Sequence, residues 1–416
     1  MVRRARPLAL LLAALALAGC ANLGYYAQSV RGQAALLAHR EPIGKLLRSP
    51  DTPAALKSHL ALALRIRKFA SRELGLPDNA SYRSYVALDR PYLSWAVFAA
   101  PALSLTPVHW CYPVVGCAVY RGYFRRAAAE AFAARLHRHG DDVYVSGVPD
   151  YSTLGWFADP LPSTVIDWPA PNLAGLIFHE LAHQELFVPG DSRFDESFAV
   201  AVQEAGVARW LRTHAGTAER RAWRASRRRE ATFYPLIATT RHRLARLYAS
   251  ERAPDAKRAG KARILRELRE RYRVLKTSWG GYAGYDHWFD GGMNNAKLAA
   301  LQTYREYVPA FRRLLARAHG NFAAFYATAR ALARLPKAQR DTVLGALSTC
   351  TKRPAGDACN CDGVSDSNDV GRASPALQAA QRGFVRRAGL GPPATLVIAT
   401  TSRDPTTSAG RARPYR

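Results

Sequence analysis

Between Gly175 and Ala199 the chain reads GLIFHELAHQELFVPGDSRFDESFA. The helix this predicts is apolar nearly all round, with Leu173, Leu176, Ile177, Phe178, Leu181 and Leu186 leaving no polar face. Such a helix must be buried, yet it carries His179, Glu180 and His183 into the interior. Without partners these groups cost several kcal/mol in lost hydration. A bound cation removes that cost. Positions i and i+4 share a helix face, so both imidazoles can reach one ion. A structural histidine pair without metal is the competing reading.

A third ligand follows from the break in the run. Pro189 and Gly190 stop the helix, and Asp191 or Ser192 can cap the next one. His183 lies a little over one turn before the break, and Glu196 a similar distance after it. Each helix rises about 1.5 Å per residue, so in an antiparallel pair Glu196 falls opposite His183. Glu204 is the reserve ligand, and Glu185 points away. Asp195 either orients a ligand histidine or acts as a first-turn acid on the helix dipole. Two histidines and a glutamate suit catalytic zinc, which keeps one position open. Glu180 can take a proton from metal-bound water and relay it to a leaving amine.

The amino terminus, MVRRARPLALLLAALALAGC, has Arg3, Arg4 and Arg6, then an apolar run, then Gly19 and Cys20. That is the layout of a secretory signal, and the run is too short to span a bilayer comfortably. Its end, Leu17 to Cys20, resembles a bacterial lipobox. The resemblance implies that Cys20 is lipidated and anchors the chain to the envelope. With Ala21 rather than Asp after it, Gram-negative sorting implies the outer membrane, facing the periplasm. Export favours disulfides. Cys111 and Cys117 flank a turn and are expected to pair; Cys350, Cys359 and Cys361 offer one bridge and one spare thiol.

The net charge is +28, from 60 Lys+Arg against 32 Asp+Glu. Such a surface suits an anionic partner such as lipid, although a GC-rich genome also enriches arginine. No stretch reads as a nucleic-acid module, so nucleic acid is not an expected partner. The basic stretch Glu219–Arg273 reads as a solvated face.

Along the chain, a helix after Cys20 and another over Ala54–Leu74 precede short aromatic and β-branched runs from Ser81 to Tyr123. These runs, and DDVYVSGV after a helix over Phe124–His139, read as strands of a small, mostly antiparallel sheet. From Asn172 to about Arg334 the pattern is helical, interrupted by the Gly- and aromatic-rich loop Trp279–Asn295. The expected fold class is α+β. The expected divisions are a signal over 1–20, one domain over 21–349, and a basic, largely disordered tail over 350–416.

His179–His183 with FDESFA resembles the gluzincin metallopeptidases. With WCYPVVGCAVYRGYF, YVSGVPDYSTLGWFADPLPST and NNAKLAALQTYREYVPAF, the chain resembles a bacterial family of lipoprotein aminopeptidases over about residues 20–335. The resemblance implies His179, His183 and Glu196 as zinc ligands and Glu180 as general base. Asp195 departs from the family's Asn. In gluzincins an edge strand upstream pairs with the substrate; Tyr151–Phe157 is the expected one, with Tyr151, Thr153 and Gly155 as contacts. Tyr304, Tyr285 and His287 are candidates to stabilise the oxyanion, Tyr304 first. Asn294 and Asn295 are expected helix caps. The expected activity is a zinc aminopeptidase acting on peptides. The alternatives are an envelope endopeptidase cutting proteins or peptidoglycan peptides, or a non-catalytic basic lipoprotein on anionic lipid.

Overall fold

The computed structural model describes residues 23–112, 116–303 and 305–349. Cys20, Tyr304, Cys350, Cys359, Cys361 and the tail expected beyond 349 lie outside the described residues. Helix α1 spans 23–38. Strand β1 (Glu41–Pro42), α2 (Ile43–Arg48) and α3 (Ala54–Leu74) follow. Leu60, Ala63, Ile66, Phe69, Ala70 and Leu74 recur at helical spacing along α3 and bury one stripe. Gly75, at φ 65°, ends α3 in the left-handed region that glycine adopts without strain.

Strands β2 (Ser84–Val86), β3 (Ser94–Pro101), β4 (Trp110–Tyr112), β5 (Gly116–Ala118), β6 (Arg121–Tyr123), β7 (Asp141–Val148) and β8 (Leu161–Pro162) surround α4 (Arg126–Arg138). They form three small units rather than the single sheet expected. One is antiparallel, in the order β6-β3-β7, and one is the β4-β5 hairpin. The third, β1-β2-β8, is mixed, because β2 and β8 run parallel. Strand β3 is buried along almost its whole length, as its unbroken apolar run WAVFAA requires of a strand covered on both faces. Helices α4 and α11 supply the cover. Among the described residues β7 is an edge strand, paired with β3.

The helical half begins with α5 (Ser163–Ile166), α6 (Ala170–Glu185) and α7 (Ser192–His214). A basic arm, α8 (Thr217–Ala249) and α9 (Pro254–Ser278), leads to α10 (Asp286–Phe289), a short helix inside the expected loop, and α11 (Asn295–Thr303). Helices α12 (Val308–Arg317), α13 (Phe322–Ala333) and α14 (Lys337–Thr349) close the fold. The fold is α+β. Its largest core joins α3, α6 and α7 to α12, α13 and α14. No described helix is long and apolar enough to cross a membrane.

Candidate metal centre

Helices α6 and α7 form the expected antiparallel pair. Helix α6 is buried on every side from Leu173 to His183, and its polar residues are almost withdrawn from solvent, His179 at 4% exposure. It ends where Leu186 turns extended, and Asp191 caps α7 by accepting from the Phe194 amide at 3.4 Å. The turn returns Glu196 to the histidines. His179 Nε2 lies 3.2 Å from His183 Nε2 and 3.3 Å from Glu196 Oε2, and His183 Nε2 lies 3.6 Å from that oxygen. All three residues are buried.

His179 Nδ1 lies 3.1 Å from Gln203 Oε1. An amide oxygen only accepts, so this contact puts the His179 proton on Nδ1 and turns the Nε2 lone pair toward the cluster. Two ring nitrogens and a carboxylate oxygen then converge with too few protons to satisfy one another, and a cation satisfies all three. A tetrahedral zinc with bonds of about 2.0–2.1 Å separates its ligand atoms by about 3.3 Å, close to the spacing found here. The residues fit the metal.

The electrostatics agree. Burial lowers the His179 pKa, which keeps the ring neutral as a ligand must be. Burial would raise Glu196, but the neighbouring His183 and His179 outweigh it and hold Glu196 below the usual carboxylate range. Glu180 is fully buried, and among the described residues neither of its oxygens has a hydrogen-bond partner. Burial first, then the charge of Asp150, pushes its pKa well up. The Ser152 backbone faces Glu180 and offsets part of that rise without reaching hydrogen-bond geometry.

Several expected residues stand elsewhere. Glu204 is no reserve ligand: it pairs with Arg305, Arg227 and Arg312. Glu185 does point away, toward Arg330. Asp195 does not reach a ligand histidine; its Oδ1 accepts from the Val188 amide at 2.8 Å. Tyr151–Phe157 is not a strand but an irregular turn, with Leu154 and Gly155 both at positive φ. Tyr151 is buried against Phe124 and donates to Gln33, Thr153 is bonded to Asp159, and Gly155 packs on Gln184. The edge strand leading to Glu180 is β7. Tyr285 stacks on Phe233, whereas the His287 side chain is 91% exposed and faces solvent. Asn294 caps α11, accepting from the Lys297 amide at 3.0 Å. Asn295 bonds the Pro101 and Ala102 carbonyls instead.

Sequence reasoning missed Gln203. It lies seven residues after Glu196, on the same face of α7, and that spacing is the signal that finds it. It foresaw the pairing of Cys111 with Cys117 but missed that this hairpin braces the turn. A disulfide joins Cys111 to Cys117 across β4 and β5. Beside it, Gly116 sits so close to the Pro189–Gly190 turn that a Cβ there would come 2.7 Å from the Gly190 nitrogen.

Residues 24–344 match the sequence profile of the family described as "Putative aminopeptidase". The chain belongs to this family. The match takes in α6, α7 and every ligand candidate, so the aminopeptidase family description falls on the domain that holds the cluster. No curated protein and no solved structure gives a significant match.

Proposed function

We propose that this protein is a zinc-dependent peptidase of gluzincin type, acting on the free amino termini of peptides. His179, His183 and Glu196 would hold the metal. The observation that carries the reading is three converging, buried acceptor atoms beside a carboxyl group that has no hydrogen-bond partner among the described residues. Family membership supports peptide-bond hydrolysis.

Bound zinc supplies a Lewis acid that polarises a peptide carbonyl and acidifies water. Glu180 accepts the proton of the attacking water and delivers it to the departing amide nitrogen. Gln203 fixes the tautomer and ring orientation of His179. The free side of β7 aligns an extended peptide. Asn294 Nδ2 donates to the Val143 carbonyl from that side, so by strand alternation the backbone of Val145 and Gly147 faces the same way and can pair with substrate.

Metal analysis tests the reading. About one zinc per chain is expected. Glu180→Gln is expected to retain it while hydrolysis of peptide substrates falls by orders of magnitude. A wild-type protein with neither zinc nor peptide hydrolysis would overturn the proposal.

We further infer that Cys20 carries a lipid anchor that holds the domain on the outer membrane, facing the periplasm. The lipobox-like Leu17–Cys20 supports this, and a disulfide at Cys111–Cys117 suits an oxidising compartment. Cys20→Ser is expected to move the protein from the membrane to the soluble fraction; an unchanged distribution would rule the anchor out.

A further inference from the structure

A cavity of 850 Å3 opens between β7, the basic arm and the segment after α9. Its volume lies within the range of about 300–1,000 Å3 usual for ligand sites. Aromatic side chains dominate its walls: Tyr92, Tyr144, Trp168, Phe233, Tyr285 and Trp288. They brace one another. Phe233 stacks on Tyr285 with centroids 4.1 Å apart, and Trp288 meets Phe233 edge-on at 5.8 Å. The wall is therefore formed before any ligand arrives.

The charged groups on the lining are already engaged. Lys297 Nζ donates to the Trp288 carbonyl at 3.0 Å and to the Asp290 carbonyl. Asp286 accepts from Tyr272 and Lys276, each at 2.5 Å. His287 turns outward beside Asp290. A charged guest would find its counter-charge occupied, whereas an apolar guest finds aromatic faces.

The cavity also borders the segment that runs on toward the metal centre. Its lining includes Val143 to Gly147 of β7, then Pro149 and Thr164, which are joined by a 2.5 Å bond from Thr164 Oγ1 to the Pro149 carbonyl. Ser152, three residues beyond Pro149, accepts from Gln184 Nε2 at 3.4 Å, and Gln184 adjoins His183. A peptide laid along β7 would run toward the metal centre while a neighbouring side chain drops among the aromatic rings. We propose that this cavity is the specificity pocket of the site and takes a large aromatic or branched apolar side chain close to the cleaved bond. The proposal rests on the peptidase reading above.

The test separates the two. Trialanine amide and its three single-phenylalanine variants are assayed for hydrolysis by the wild type. The same four peptides are titrated by intrinsic fluorescence into zinc-loaded Glu180→Gln. At least one phenylalanine peptide is expected to exceed trialanine by about tenfold or more, in kcat/KM and in affinity. Trp288→Ala removes a wall, and Ala283→Trp fills the cavity without deleting a contact. With melting temperature checked, each is expected to bring that ratio down severalfold. Equal treatment of all four peptides overturns the pocket, as does an unchanged ratio in both folded variants. If nothing is hydrolysed, the peptidase reading fails, and the binding titration still decides whether the cavity selects aromatic side chains.

Discussion

Asp195 Oδ1 accepts a hydrogen bond from the Val188 amide at 2.8 Å, which ties the first turn of α7 to the segment leaving α6. The next residue is Glu196, so this bond sets how far Glu196 reaches back toward His183. Asp195→Ala is expected to weaken zinc binding by about 10–100-fold, the usual cost of losing a group that positions a ligand. Asp195→Asn, whose oxygen can accept the same bond, is expected to stay within a few-fold of wild type. Competition against a fluorescent chelator measures both, and equal affinities for Ala and wild type would discount the tether.

Removing zinc is expected to lower the melting temperature. An ion present at about 100 times its Kd contributes about 2.7 kcal/mol. In a domain of this size, with about 2.1 cal/mol/K of unfolding entropy per residue, that amounts to about 4 °C. Returning zinc restores the transition, and His183→Ala abolishes the response. A chelator that leaves the wild-type transition in place argues against a resident metal.

The cap of α7 depends on the last helix. Arg340, itself buried, donates to Asp191 Oδ2 from Nε at 3.0 Å and from Nη2 at 2.6 Å. Arg340→Leu leaves the buried Asp191, among the described residues, with the half-exposed Lys337 as its remaining ion-pair partner. A loss of about 3 kcal/mol is expected, the scale of breaking a buried ion pair. Denaturant unfolding reads it; a loss below about 1 kcal/mol would mean Lys337 suffices.

Asp159 carries a pH signature. Burial, partly offset by hydrogen bonds from Thr153, pushes its pKa up to about 6 from an ordinary 3.8. The folded chain keeps this proton while the unfolded chain releases it. The stability it contributes is complete below about pH 4 and lost as pH rises through 6, about 3 kcal/mol in all. Asp159→Asn never ionises and is expected to flatten that part of the profile. Melting temperatures of both proteins, measured with excess zinc from pH 4 to 7, check it; parallel curves would rule it out.

The pairing of α6 and α7 was legible because its signals are local. An all-apolar helix bearing two histidines, a Pro-Gly break and an acid at matching distance lie within Gly175–Ala199. What escaped depends on distant chain. Glu204 looked free for a metal because Arg305 and Arg312 lie about a hundred residues away. Tyr151–Phe157 has the composition of a strand, but the left-handed backbone at Leu154 and Gly155 coils it into a turn. Edge status passed to β7 through the order of the sheet, which no local pattern records. The aromatic cavity takes walls from β7, α8 and the segment after α9, so it exists only once these meet.

The contact between Arg340 and Asp191 spans 149 residues. Chains grow from the amino end, so both histidines and Glu196 exist long before the residue that secures the cap of their second helix. A polypeptide still being made carries every candidate metal ligand but not the buried partner of that cap. Order of synthesis thus supplies Arg340 only when nearly the whole described domain has been made.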